Sequence, residues 1–228
     1  MNLVTYAAAI VAAYLLGSFP TGYLVGRFGK GVDVRHYGSG STGATNVQRL
    51  FGWGGFALVF AGDFGKGFLA AWAARSLGID ALGQALAALA ALVGHNFPLF
   101  LGFRGGRGVA TGVGGLFATV PLPAAFGIIL AALIMAATRY VSLGSLVGTV
   151  LSVPGTLLLV WFGGAPAEYL VYVVPGVLLI VARHTDNIRR LLQGTERKLG
   201  EKIAVAAPVA AATKRTKGRA QQGRAPIG

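Results

Sequence analysis

Apolar residues in this chain come in long unbroken runs rather than in an alternating or one-faced rhythm. Residues 3–25, 53–72, 81–101, 109–138, 141–162 and 169–182 are predominantly apolar. None keeps the regular polar stripe of a surface helix. About 20 apolar residues are needed for a helix to span a bilayer, and most of these runs are near that length. Period-two alternation is absent and Ala, Leu and Gly dominate, which argues against a β-barrel. The pattern predicts an all-α integral membrane protein.

Two features modify the count of spans. The run 53–72 is interrupted by Asp63 and Lys66, and the run 109–138 contains Pro121 and Pro123. Taken as one span, 109–138 gives six crossings. The tail would then lie opposite the basic loop that holds Arg27, Lys30, Arg35 and Arg49. From Arg183 onward the chain carries eleven of its twenty Lys and Arg residues, and such residues near membrane ends favour the cytoplasm. A turn at Val120-Pro121-Leu122-Pro123 restores agreement. The expectation is seven transmembrane helices, N-terminus outside and C-terminus cytoplasmic, with a short fourth helix over 109–120. Residues 1–203 form one transmembrane domain in this reading, and 204–228 a basic tail without a packed fold. The first run has no basic region before it and reads as a retained span rather than a signal peptide.

Composition sharpens this picture. Of 228 residues, 54% are hydrophobic and only 12% charged, against about 25% charged in a soluble domain. There is no cysteine, which removes disulfides, thiolate catalysis and Cys-based metal sites. The three histidines are scattered and carboxylates do not cluster, so no metal site and no cofactor is expected. A net charge of +13 points to anionic lipid and anionic substrates rather than nucleic acid, because the charge lies in the loops and tail of an oily chain.

Seven crossings gather four segments at the cytoplasmic side: 38–49, 103–111, 140–145 and 184–198. The first contains Ser39, Gly40, Gly43, Thr45, Asn46 and Arg49, a combination of flexible backbone, hydroxyl, amide and guanidinium suited to phosphate oxygens. It is not a Walker loop. The second runs Phe103-Arg104-Gly105-Gly106-Arg107-Gly108 into a helix. Phosphate at that position would meet helix N-terminal N–H groups and two arginines. Ser142 follows Arg139 as a helix cap or a phosphate donor. His184 and Asn187, three apart, share a helix face, as general base and orienting amide or as an ordinary helix end. Glu196 lies among Arg189, Arg190, Arg197 and Lys198 and reads as structural. Asp63 and Lys66, three apart within a span, are expected to pair and hold helices together. His95 is expected to have a packing or hydrogen-bonding role.

With these segments identified, the chain resembles the PlsY family of bacterial acyl-phosphate:glycerol-3-phosphate acyltransferases over roughly residues 10–200. The likeness rests on Gly17-Ser18-Phe19-Pro20-Thr21-Gly22, on 38–49, on Gly94-His95-Asn96-Phe97-Pro98 leading into 103–111, on Arg139–Ser145 and on 184–198. It implies a multi-pass bacterial inner-membrane enzyme with its site on the cytoplasmic face. Such an enzyme moves an acyl group from acyl phosphate to the sn-1 hydroxyl of glycerol 3-phosphate, giving lysophosphatidate and inorganic phosphate. It is expected to function as a monomer. The resemblance assigns catalysis to Ser39, Arg49, His184 and Asn187, phosphate binding to Gly105, Gly106 and Gly108 with a basic residue, and a structural role to Glu196. The chain departs from the family at Ser41 and Thr42, where Asn and often Pro are usual, and at Arg104 and Arg107, where lysines are usual. The competing readings are a small organophosphate transporter, for which no inverted repeat is visible, and a lipid-binding scaffold, which leaves the two Gly/Arg segments without a task.

Overall fold

The structure, a computed structural model, describes residues 3–201, so the expected tail over 204–228 lies outside the described residues. Within them the regular structure is helical: α1 (Leu3–Ser18), α2 (Thr21–Lys30), α3 (Ala44–Ser76), α4 (Ala81–Asn96), α5 (Val109–Thr119), α6 (Pro121–Thr138), α7 (Val141–Trp161), α8 (Leu170–Ala182) and α9 (Thr185–Leu192). Five stretches are long and apolar enough to cross a membrane: Leu3–Lys30, Ala44–Ser76, Ala81–Leu101, Pro121–Thr138 and Val141–Trp161. A sixth forms if Ala167–Ala182 and Thr185–Leu192, bent by 57°, are one span.

Proline and glycine set the breaks. Phe19-Pro20 separates α1 from α2, so the first apolar run is interrupted rather than one continuous helix. Pro121 opens α6 directly after Val120 caps α5, the N-terminal position that a proline tolerates best. Gly52, with φ of 72°, kinks α3. The segment 44–51 is therefore a helical arm ahead of the span, where the sequence suggested loop as far as Leu50. Arg49 is thereby mounted on a helix.

The chain turns at the prolines, but α5 has only 11 residues, about 16 Å of helix against about 30 Å of hydrocarbon. It is an interior helix, with Thr111, Gly112, Gly114, Gly115, Leu116, Ala118 and Thr119 buried. A Cβ at Gly67 of α3 would lie 2.0 Å from the Thr111 carbonyl oxygen, and one at Gly114 would lie 2.0 Å from that of Phe64. Backbones this close need small residues at the crossing. Beneath α5, Leu92, Leu116, Val120, Tyr172, Val173 and Ile180 form the main core.

Asp63 and Lys66 do pair, at 2.9 Å, but the work of joining helices is done by their other contacts. Asp63 Oδ1 lies 3.5 Å from His95 Nδ1 on α4. Lys66 Nζ donates to the Phe19 carbonyl at the α1–α2 break (3.1 Å). Three chain segments thus meet at one buried ionic cluster.

Candidate active site

The four chemical segments converge on one cavity of about 530 Å³ between α3, α5, α6 and α7. Ser39, Thr45, Arg49, Arg107, His184 and Asn187 line its polar end, and Phe56, Phe60, Leu116, Ile128, Ala131 and Met135 line its body. One polar head pocket therefore continues into an apolar trough.

The 38–43 loop is shaped from within by Asn46. Its Nδ2 donates to the carbonyls of Val34 (2.9 Å), Tyr37 (3.1 Å) and Ser41 (2.9 Å), and its Oδ1 accepts the Ser39 N–H (2.9 Å). Asn46, expected as a phosphate donor, spends its amide on the loop backbone although one edge reaches the cavity. Ser41 Oγ accepts the Gly43 N–H (3.1 Å). Gly43 lies on the wall with Ser39 and Thr45. Gly40 is exposed, with φ of 69°, and lies off the wall. Two turns into the arm, Arg49 is 8% exposed. Among the described residues it has no carboxylate or carbonyl partner.

The glycine-rich segment is held differently from the cradle its sequence suggests. The Gly105 N–H donates to the Asn96 carbonyl (3.3 Å) and the Gly106 N–H to that of His95 (3.1 Å). Those two amides are committed to the end of α4 and are not free for phosphate. The requirement for glycine there is one of space, since a Cβ at Gly105 would lie 2.1 Å from the His95 carbonyl oxygen. Neither Gly105 nor Gly106 lines the cavity, whereas Gly108, with φ of 87°, does. The first turn of α5, which follows, has N–H groups without helical partners.

This folding-back separates the two arginines. Arg107 faces the cavity, and Arg104 is exposed and outside it. Burial lowers the Arg107 pKa to about 10, with Arg190 and Arg49 adding repulsion. It stays cationic at neutral pH and, like Arg49, has no ion-pair partner among the described residues. Neither cation is in an ion pair, though Glu196 on the same wall offsets part of their charge, and two converging guanidinium groups are suited to an anion.

At the α8–α9 turn, His184 Nδ1 lies 2.8 Å from the Ile180 carbonyl oxygen. A carbonyl only accepts, so Nδ1 carries the proton and Nε2 keeps a lone pair. Burial above all lowers the His184 pKa to about 4, with Arg107 and Arg183 contributing in the same sense. The imidazole is neutral at pH 7. Asn187 Nδ2 donates to Glu196 Oε1 (2.7 Å), leaving Asn187 Oδ1 buried without a partner. Glu196 also accepts from Ser142 Oγ (2.9 Å) and Arg190 Nε (2.7 Å). Burial pushes its carboxyl up, but the hydrogen bonds from Asn187, Arg190 and Ser142 outweigh that and hold it below the usual range. Ser142, expected as a helix cap or a phosphate donor, instead gives its hydroxyl proton to the Glu196 carboxylate that ties α7 to α9.

Three residues gain contacts at the site that the sequence did not indicate. His95 and Asp63 reach the cavity wall. Arg183 donates from Nε and Nη2 to the Gly106 carbonyl, 3.3 Å each. In sequence Arg183 looks like any basic residue closing a span, and the fold alone gives it a target.

The chain is similar to known proteins along nearly all of its described length. The family model described as glycerol-3-phosphate acyltransferase matches residues 7–194. Glycerol-3-phosphate acyltransferase 3 of Dehalococcoides mccartyi is 47% identical over 214 residues, covering 89% of this chain and 99% of the relative. The glycerol-3-phosphate acyltransferase of Rubrobacter xylanophilus is 47% identical over 192 residues, covering 84% and 94%. A crystal structure of PlsY, an integral membrane glycerol 3-phosphate acyltransferase, in its glycerol 3-phosphate form superposes with a TM-score of 0.79 at 41% identity, covering 86% of this chain and 96% of that one. Its lysophosphatidic acid form gives 0.76 at 40% identity with the same coverage. An all-helical bundle with helices of membrane-crossing length, matched along nearly its whole described length, belongs to the glycerol-3-phosphate acyltransferase family.

Proposed function

We propose that the cavity transfers a fatty acyl group from acyl phosphate to the sn-1 hydroxyl of glycerol 3-phosphate, releasing lysophosphatidate and inorganic phosphate. The observation that carries this reading is the convergence of Arg49 and Arg107, neither paired with a carboxylate, beside His184 at the head of an apolar trough. Two phosphoryl compounds need two cationic contacts, and an acyl chain needs the trough.

Acyl phosphate is already activated, so the protein has mainly to align the reactants and neutralise charge. The Asn187 Oδ1, an unsatisfied buried acceptor, orients glycerol 3-phosphate by accepting from its sn-2 hydroxyl, which leaves the proton of the attacking sn-1 hydroxyl free for His184. His184 Nε2 takes its proton as the C–O bond to the acyl carbon forms. The bond from that carbon to the phosphate oxygen breaks, and the proton is returned to the departing phosphate. Low basicity in the unliganded site is offset on binding, because two phosphoryl groups bring negative charge that favours the imidazolium. Ser39 and Thr45 supply hydroxyl donors, and Arg49 and Arg107 hold the phosphates.

We further infer seven crossings, with α5 and α6 as an unequal hairpin whose two ends lie at the site. This places residues 38–43, 97–108, 139–140 and 183–198 at the cytoplasmic surface of a bacterial inner membrane, where both substrates are met. The four segments that carry the chemistry come from one chain, and we infer function as a monomer.

Purified protein in detergent, given palmitoyl phosphate and labelled glycerol 3-phosphate, is expected to form lysophosphatidate without a sealed compartment. Uptake of glycerol 3-phosphate into sealed vesicles, with no product in detergent, would establish transport instead.

A further inference from the structure

The loop bearing Arg107 is gripped from two sides by residues that the chemistry above does not use. On one side Arg183 directs two N–H groups at the Gly106 carbonyl, 3.3 Å each, with its guanidinium 5.4 Å from the centre of the Phe97 ring. On the other side the His95 carbonyl accepts the Gly106 N–H (3.1 Å). The His95 imidazole lies so near that a Cβ at position 106 would come within 2.0 Å of Nε2. The imidazole is fixed by Asp63 at 3.5 Å, and Asp63 in turn by Lys66 at 2.9 Å. Gly106 cannot move toward α4 without striking His95, nor away from it without breaking its bonds to His95 and Arg183. Arg107 is the next residue. Arg183 does not line the cavity and commits donors to a backbone oxygen, so its effect on substrate passes through the loop.

We propose that Arg183, with the Asp63–His95 pair opposite it, is a positioning residue that fixes the reach of Arg107 toward phosphate by clamping Gly106. The proposal rests on Arg107 being a phosphate ligand. Because Arg183 precedes His184 directly, the same contact fastens the α8–α9 turn to the loop and keeps the cation and the imidazole in register.

The test is a double-mutant cycle on purified protein, with R107A, R183A, R183A/R107A and the conservative R183K. Two readouts are taken: KM and kcat for each substrate, and the rise in melting temperature produced by inorganic phosphate. The second needs no turnover, so a failure of the acyltransferase reading stays separate from a failure of the clamp. R183A is expected to raise, by roughly tenfold, the KM of the same substrate that R107A affects, and to reduce the phosphate-induced melting shift. Adding R183A to R107A is expected to change neither readout further, and R183K to recover part of the loss through one donor. Multiplicative losses in the double variant would overturn the clamp. So would an R183A effect confined to kcat for both substrates with the phosphate shift intact. Should R183A prove too unstable to purify, R183K carries the test: an unchanged KM and an unchanged phosphate shift would equally overturn it.

Discussion

Arg49→Ala separates a ligand-binding arginine from a structural one, because the two kinds of role move stability in different directions. Arg49 is 8% exposed and lies on the cavity wall. A buried arginine that served the fold would sit in an ion pair or on backbone carbonyls, and deleting one partner of a buried pair costs about 3–5 kcal/mol. No such partner exists for Arg49 among the described residues, so truncation removes an uncompensated buried cation and the melting temperature should hold or rise. Activity should behave oppositely. A guanidinium on a phosphate makes up to two charge-assisted hydrogen bonds worth about 1.5–3 kcal/mol each. Allowing for partial rehydration of the vacated space, about 3–4 kcal/mol of transition-state binding is lost, or roughly 10²- to 10³-fold in kcat/KM. The assay pairs thermal unfolding in detergent with kcat/KM for glycerol 3-phosphate at saturating palmitoyl phosphate. Near-normal kcat/KM in monodisperse Arg49→Ala would refute the reasoning, as would a loss of activity matched by a loss of several degrees in melting temperature.

The remaining predictions concern the other groups at the cavity head. Arg107→Ala is expected to lower kcat/KM at least 30-fold and Arg104→Ala less than threefold, since only Arg107 faces the cavity; equal losses in steady-state assays would contradict the orientation of the loop. His184→Gln should lower kcat with little change in the KM for glycerol 3-phosphate, and a pure KM defect would assign His184 to positioning. The folded His184 pKa is depressed to about 4, so the working neutral form persists as pH falls below the ordinary histidine value of about 6.5. The acid limb of kcat/KM due to this group should therefore lie nearer pH 4 than 6.5; a limb at the ordinary value would refute the burial argument. Between those two values the unfolded chain binds the extra proton, so this group's contribution to stability falls as pH falls, and His184→Gln should flatten that slope in melting curves. Glu196→Ala removes the acceptor shared by Ser142, Asn187 and Arg190. It is expected to lower both melting temperature and kcat, whereas Glu196→Gln, which keeps one acceptor oxygen, should retain more of each.

Hydropathy and punctuation in the sequence determined the membrane class, the turn at Pro121 and the set of four segments that build the site, because burial in lipid and backbone breaks are properties of contiguous residues; the break at Pro20 inside the first apolar run was not read from it. Tertiary structure decided what each side chain does. Arg104 and Arg107 are indistinguishable in a glycine-rich string, and only the pairing of Gly105 and Gly106 with the end of α4 turns one outward and the other inward. The same pairing removed two amides expected to bind phosphate. Asn46 and Ser142 carry the polar atoms that a phosphate site requires, yet the turns of its own loop claim Asn46 and Glu196 of another segment claims Ser142. Arg183 gained its place for the converse reason: the Gly106 carbonyl it holds lies 77 residues away in sequence. Which donor meets which acceptor depends on contacts across the bundle, and a local pattern of residues carries no record of them.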